Sequence, residues 1–125
     1  MKIRIKGNSL RYRLTQTEVK TLGDTGYLSE STRFGPDEEQ VFVYSLEAKE
    51  GIAGLQATFN GTKINLFIPA ESAKTWYAEA RVGFENEQET APGILLHLLL
   101  EKDFACLDNT EEDQSDNYAN PNAAC

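Results

Sequence analysis

Near the start of the chain, charge recurs at every second position: Lys2, Arg4 and Lys6, then Arg11 and Arg13. In extended backbone, alternate side chains share a face, so all five cations can line one patch. Arginine offers a planar fork of donors matched to carboxylate and phosphate oxygens, and lysine a point charge on a flexible stem. The chemistry of such a patch is anion binding. Like charges directly opposite one another across a hairpin repel, so five cations without an interleaved acid need counter-charges. Three sources can supply them: carboxylates elsewhere in the fold, an acidic partner or the chain's own acidic tail, or a small anionic ligand. A second alternation, Glu85, Glu87 and Glu89, carries the opposite sign. Carboxylates so spaced can help hold a divalent cation beside a phosphorylated substrate. Their setting is polar, however, and the stretch 86–93, closed by Pro92-Gly93, reads as a loop.

Other chemistry is thinly represented. His97 is the single histidine and sits in an apolar run, which predicts a buried, hydrogen-bonded side chain rather than a general base. Cys106 and Cys125 fall short of a zinc set. No serine lies in a nucleophile elbow, and no glycine-rich phosphate loop is present, Gly51-Ile52-Ala53-Gly54 being too short. The carboxylates at 108, 111, 112, 113 and 116 lack the spacing and central glycine of a calcium loop. The residues therefore point to no cofactor, no resident metal and no catalytic set.

The elements that must position the charged residues follow from hydrophobic period. Residues 2–6 and 10–14 alternate strictly and flank Gly7-Asn8, a hairpin signal. Thr15-Gln16-Thr17-Glu18 is a capping box, predicting a short helix to Leu22 that stops at Gly23. Residues 27–34 and 41–48 read as strands, and 55–59 with 62–68 as a hairpin around Asn60-Gly61. A helix over 70–80 packs through Trp76 and Tyr77, and 81–85 is a further strand. Ile94 to Lys102 is apolar at nearly every position, the pattern of a central strand covered on both faces. Tyr12, Phe34, Phe42, Tyr44, Phe59, Phe67 and Phe84 fall at core spacing. No internal repeat is legible beyond the two basic strands.

Composition sets the class. The chain has 125 residues, 40% hydrophobic and 26% charged, ordinary usage for one globular domain. A net charge of −8 argues against a dedicated nucleic-acid binder. The run Ile94–Leu100 is too short to span a membrane. The opening MKIRIKGNSLRYR has no apolar segment of a signal peptide, so a cytoplasmic location with reduced cysteines is expected. The last segment is rich in Asp, Glu and Asn and holds little to bury.

The opening KIRIKGNSLRYRLTQTEV (Lys2 to Val19), with EKDFACL (Glu101 to Leu107) and Asn120-Pro121-Asn122, resembles a family of short, uncharacterised bacterial cytoplasmic proteins. That resemblance implies no activity, cofactor or catalytic residue. A looser similarity in layout links the chain to the triphosphate-tunnel enzymes of the CYTH class. Those enzymes carry an acidic ExExK on the first strand, and this chain, reading Lys2-Ile3-Arg4-Ile5-Lys6, has bases where the two glutamates should hold the metal.

Taken together, these readings predict a single α+β domain over residues 1–106 and an acidic tail over 107–125. The domain should be a mainly antiparallel sheet of six to eight strands, barrel-like in layout, with two short helices. The expected function is a non-catalytic binding module. Its basic strand pair (Lys2, Arg4, Lys6, Arg11, Arg13) would face an anionic ligand, a protein partner or the tail, with no role for nucleic acid or membrane. The alternative is a metal-dependent hydrolase of a triphosphate compound, with Glu85, Glu87 and Glu89 at the cation.

Overall fold

In the computed structural model, which describes residues 1–105, 116 and 118, the two-residue period of the opening segment becomes β1 (Lys2–Lys6) and β2 (Ser9–Leu14). Gly7 makes the turn at φ 54°, a conformation side-chain-bearing residues rarely adopt. Helix α1 (Gln16–Thr25) opens on the expected capping box: the Glu18 amide donates to Thr15 Oγ1, and the Thr15 amide donates to Glu18 Oε1. The helix does not stop at Gly23. It ends at Gly26, φ 76°, whose amide donates to the Leu22 carbonyl. Gly23 serves packing instead, since a Cβ there would lie 3.2 Å from the Ala73 carbonyl oxygen in the neighbouring helix.

There follow β3 (Tyr27–Arg33), β4 (Val41–Lys49), β5 (Gln56–Asn60), β6 (Lys63–Pro69), α2 (Ala70–Thr75) with a 3-10 turn over Trp76–Ala78, β7 (Gly83–Ala91) and β8 (Ile94–Lys102). Asn60 pairs with Lys63, so the β5–β6 turn is Gly61-Thr62, one residue later than the expected Asn60-Gly61. The larger correction is β7. The polar stretch expected to be a loop is a nine-residue edge strand.

The strands form two mixed four-stranded sheets, ordered β1-β2-β8-β7 and β3-β4-β6-β5. The pairs β2–β8 and β4–β6 are parallel and all others antiparallel. The inner faces share one core, in which Tyr12 and Tyr44 meet edge to face at 5.8 Å. The sheets do not close into a barrel. Where β5 and β7 approach, side chains replace a backbone ladder. Asn86 Nδ2 donates to the Leu55 carbonyl at 2.8 Å, Gln88 Oε1 accepts from the Ala57 amide at 2.7 Å, and Gln88 Nε2 donates to the Ala57 carbonyl at 3.2 Å. This seam explains the polar sequence of β7: its inward Asn86 and Gln88 satisfy backbone groups of the opposite sheet edge. At the other seam the Met1 ammonium bridges Glu18 of α1 and Glu30 of β3.

A repeat is present that the sequence reading missed. The offset between Gly7 and Gly61, applied throughout, carries β1, β2, α1 and β4 onto β5, β6, α2 and β8. The hairpin pair Lys2–Arg13 becomes Gln56–Phe67, and the parallel pair Ser9–His97 becomes Lys63–Val43. Buried positions correspond as well: Leu10 with Ile64, Tyr12 with Leu66, Leu14 with Ile68, Val19 with Ala73, Leu22 with Trp76, Leu46 with Leu100. The strand order maps onto itself, β1-β2-β8-β7 becoming β5-β6-β4-β3, which is the pairing scheme of a pseudo-two-fold. Hidden hydrophobicity is shared between the halves, and few surface residues are.

The aromatic residues divide more than their spacing suggests. Tyr12, Trp76 and Phe84 are buried, whereas Phe34, Phe59 and Tyr77 are mostly exposed. Phe34 and Phe59 stand at the hairpin end of the sheets, away from the helices that close the opposite end. The expected acidic tail and Cys106 and Cys125 lie outside the described residues, apart from Asp116 and Tyr118.

Candidate binding face

The outer face of the first sheet collects nearly every charged residue singled out from the sequence. Strand alternation places Lys2, Arg4 and Lys6 of β1 on it, all exposed, beside Ser9, Arg11 and Arg13 of β2. Next come Leu95, His97, Leu99 and Glu101 of β8, then Glu85, Glu87 and Glu89 of β7. Pairing registers turn these into rows. One row reads Lys2, Arg13, Glu101, Gly83; the next Arg4, Arg11, Leu99, Glu85; the third Lys6, Ser9, His97, Glu87. The face is thus basic along one edge, acidic along the other, with a strip of leucine and histidine between.

Two cations of the patch have carboxylates in place. Arg11 Nε lies 2.5 Å from Glu101 Oε1, both side chains largely covered, and Lys2 Nζ lies 3.0 Å from Asp103 Oδ2. Lys6 and Arg13 form no ion pair among the described residues. Internal acids therefore neutralise part of the patch, and Arg4 and Arg11 stand directly opposite each other across β1 and β2.

His97 is not buried as expected. It is half-exposed on this face, with Nε2 3.0 Å from Glu85 Oε1 and Nδ1 3.7 Å from Glu87 Oε1. Glu85, Glu87 and Glu89 do share a face, because β7 is a strand, but they stand on solvent. Among the described residues no group of three or more His, Cys, Asp or Glu side chains is arranged to hold a metal ion. The strand β8 also departs from expectation: its inner residues Leu98 and Leu100 are buried, but Leu95 on the outer face is 52% exposed. Sequence reasoning had each charged alternation separately. It missed that β8 lies between them; a strand assignment for 83–91 would have suggested the β7–β8 hairpin but not the pairing of β8 with β2.

A shallow pocket of about 370 Å³ opens elsewhere, at the helix end, lined by Leu14, Gln16, Val19, Tyr77, Lys102, Asp103 and Phe104. Two of its polar groups are engaged: Lys102 Nζ donates to the Glu79 carbonyl at 2.6 Å, and Asp103 pairs with Lys2. No helix of the described residues is long and apolar enough to cross a membrane. Neither a curated protein nor a solved structure matches the chain. One family model does match, over residues 1–122, and the chain accordingly belongs to a family of unknown function, DUF7009.

Proposed function

We propose that this protein is a non-catalytic binding module whose basic hairpin, β1 and β2, receives an anionic partner on the outer face of the first sheet. The observation that carries this reading is internal to the molecule. The hairpin β5–β6 builds the same scaffold with the same register, yet its positions matching Lys2, Arg4, Lys6 and Arg11 are Gln56, Thr58, Asn60 and Asn65. The backbone thus needs no cations there, and directly opposed like charges cost stability. Cations that the shared scaffold does not require are best explained by what they contact.

A metal-dependent triphosphate hydrolase would need carboxylates and bases converging on one substrate. Here β1 and β7 are three strand spacings apart, about 14 Å. The space between the sheets is filled by apolar side chains rather than lined with charge. Both features weigh towards binding.

Thermal-shift measurements at low salt test the proposal with an oligoglutamate peptide, inorganic phosphate and triphosphate, each with and without Mg²⁺. The peptide should raise the melting temperature by several degrees near 100 times its dissociation constant, a stabilisation of about 2.7 kcal/mol. Addition of 0.5 M NaCl should abolish the shift. A rise with triphosphate that requires Mg²⁺ would favour the hydrolase, and no rise with any anion would remove the binding reading.

A further inference from the structure

Resting on that reading, we infer that the acidic partner of the basic hairpin is a second copy of this chain, docked outer face to outer face through the first sheet. Three observations meet here. The first is β8, a central strand with leucines on both faces: the inner Leu98 and Leu100 are buried, whereas the outer Leu95 is exposed. Leu95 and half-buried Leu99 flank His97 in the middle of an otherwise charged face. A sheet strand apolar on both sides is normally covered on both sides.

The second observation is the segregation of charge. The face carries its own complement, with cations on β1 and β2 and carboxylates on β7 and at Glu101. An isologous dimer brings one patch against itself by a two-fold axis. An axis parallel to the strands, between β2 and β8, lays β1 over the partner's β7 and β2 over the partner's β8 while keeping each row level. Arg4 then faces the partner's Glu85, Lys6 the partner's Glu87 and Arg13 the partner's Glu101, and the β8 strips meet β2 beside the axis. An axis across the strands would lay β1 on β1, cation on cation. The charges therefore choose one of the two arrangements.

The third is size. Four strands at about 4.8 Å and five residues at about 3.3 Å give a face below the standard interface. The dimer should accordingly be weak, micromolar or looser, and sensitive to salt.

Sedimentation equilibrium of the full chain, from about 10 μM to about 1 mM, tests this, 1 mM being the weak end of useful affinity. A monomer–dimer equilibrium that loosens with NaCl is expected. Two variants sharpen it: Arg4→Glu with Lys6→Glu, and Glu85→Lys with Glu87→Lys. Each alone should weaken self-association on the order of 100-fold, because like charges then face each other across the axis. Mixed in equal amounts, the two variants should form a heterodimer within about tenfold of the original affinity, since every swapped charge again meets its opposite. Far-ultraviolet circular dichroism of each variant checks that the fold is intact. A chain that stays monomeric throughout, a dimer indifferent to both variants, or a mixture that fails to recover would each overturn the inference. If the chain is monomeric yet oligoglutamate still raises its melting temperature, the partner is another acidic polypeptide and the binding reading stands. If the peptide is also without effect, both fall together.

Discussion

The two hairpins β1–β2 and β5–β6 are the same device on opposite sides of the molecule, and they differ almost entirely on their outer faces. Inside, Leu10, Tyr12 and Leu14 have Ile64, Leu66 and Ile68 as counterparts, all buried. Outside, Arg11 pairs with a carboxylate, whereas its counterpart Asn65 joins a neutral chain in which Ser45 Oγ donates to Asn65 Oδ1 at 2.9 Å and Asn65 Nδ2 donates to Thr58 Oγ1 at 3.1 Å. On that face Ser45, Asn65 and Thr58 satisfy one another, beside Phe67 under Lys49. The other is sorted by charge and leaves Leu95 open to solvent. The shared interior is what the fold requires, and the unshared exterior is where function has room to act.

The sharpest way to break the comparison is at a position where the halves cannot be exchanged. Gly83 pairs with Glu101 as Tyr27 pairs with Glu47, each opening the second hairpin of its half. A Cβ at Gly83 would lie 2.2 Å from the Leu100 carbonyl oxygen and 3.0 Å from Glu101 Cα, backbone that cannot step aside. Gly83→Ala should therefore cost about 1–3 kcal/mol in denaturant unfolding. Tyr27→Ala, at a 40% exposed side chain, should cost well under half of that. Equal effects would mean that the close backbone approach at Gly83 does not set the two positions apart.

A smaller difference separates the helices. The N-terminus of α1 has a complete capping box, and α2 begins after Pro69 with no side-chain cap. Burial alone would raise the Glu18 carboxyl pKa. Hydrogen bonds from the Met1 ammonium and from Thr15 outweigh it and hold the carboxyl below the usual carboxylate range. Burial likewise opposes charge on the Met1 ammonium, and its bonds to Glu18 and Glu30 leave its pKa above the ordinary amino-terminal value. The lowered Glu18 pKa contributes stability present above the unfolded carboxyl value and lost as pH falls through the folded one. The raised ammonium pKa contributes stability present below its unfolded value and lost as pH rises through the folded one. Glu18→Gln should cost about 1 kcal/mol at neutral pH and flatten the acid limb of the melting-temperature profile. An unchanged acid limb would show that other carboxylates dominate it.

How much of this was legible beforehand follows from what each element is made of. The β1–β2 hairpin, the capping box and β4 were readable, since period, turn glycine and hydroxyl cap all agreed with the final structure. The β7 strand was not, because Asn86 and Gln88 point inward to satisfy a neighbouring strand's backbone, and a strand polar on both faces has no hydrophobic period to detect. Gly23 misled for a related reason: it is a helix–helix contact, and local sequence does not distinguish that from a stop. The repeat was hidden because it survives in burial and register, with few identities beyond Gly7 and Gly61 or Lys20 and Lys74. Of the binding face, the charges were visible and their rows were not. Rows depend on the parallel β2–β8 pairing, a contact between the two ends of the chain.

The smallest expected effect is the most informative about function. Replacing Arg4 and Lys6 by the residues at their counterparts, Arg4→Thr and Lys6→Asn, makes the basic hairpin resemble β5–β6 at two exposed positions. The loss of Arg4's contacts is set against relief of its direct opposition to Arg11, and Lys6 faces the neutral Ser9. Stability in chemical denaturation should thus change by no more than about 0.5 kcal/mol. Oligoglutamate binding should weaken in the same variant, with a shallower salt dependence, because two of the five cations are gone. A fall in stability of about 2 kcal/mol or more would place these side chains among the groups that hold the fold together. The outer faces would then differ for structural reasons, and the case for a binding surface would lose its main support. Stability retained with binding weakened would separate scaffold from function within a single hairpin, which the pseudo-two-fold makes possible because a hairpin with Thr58 and Asn60 at those positions already exists in the same molecule.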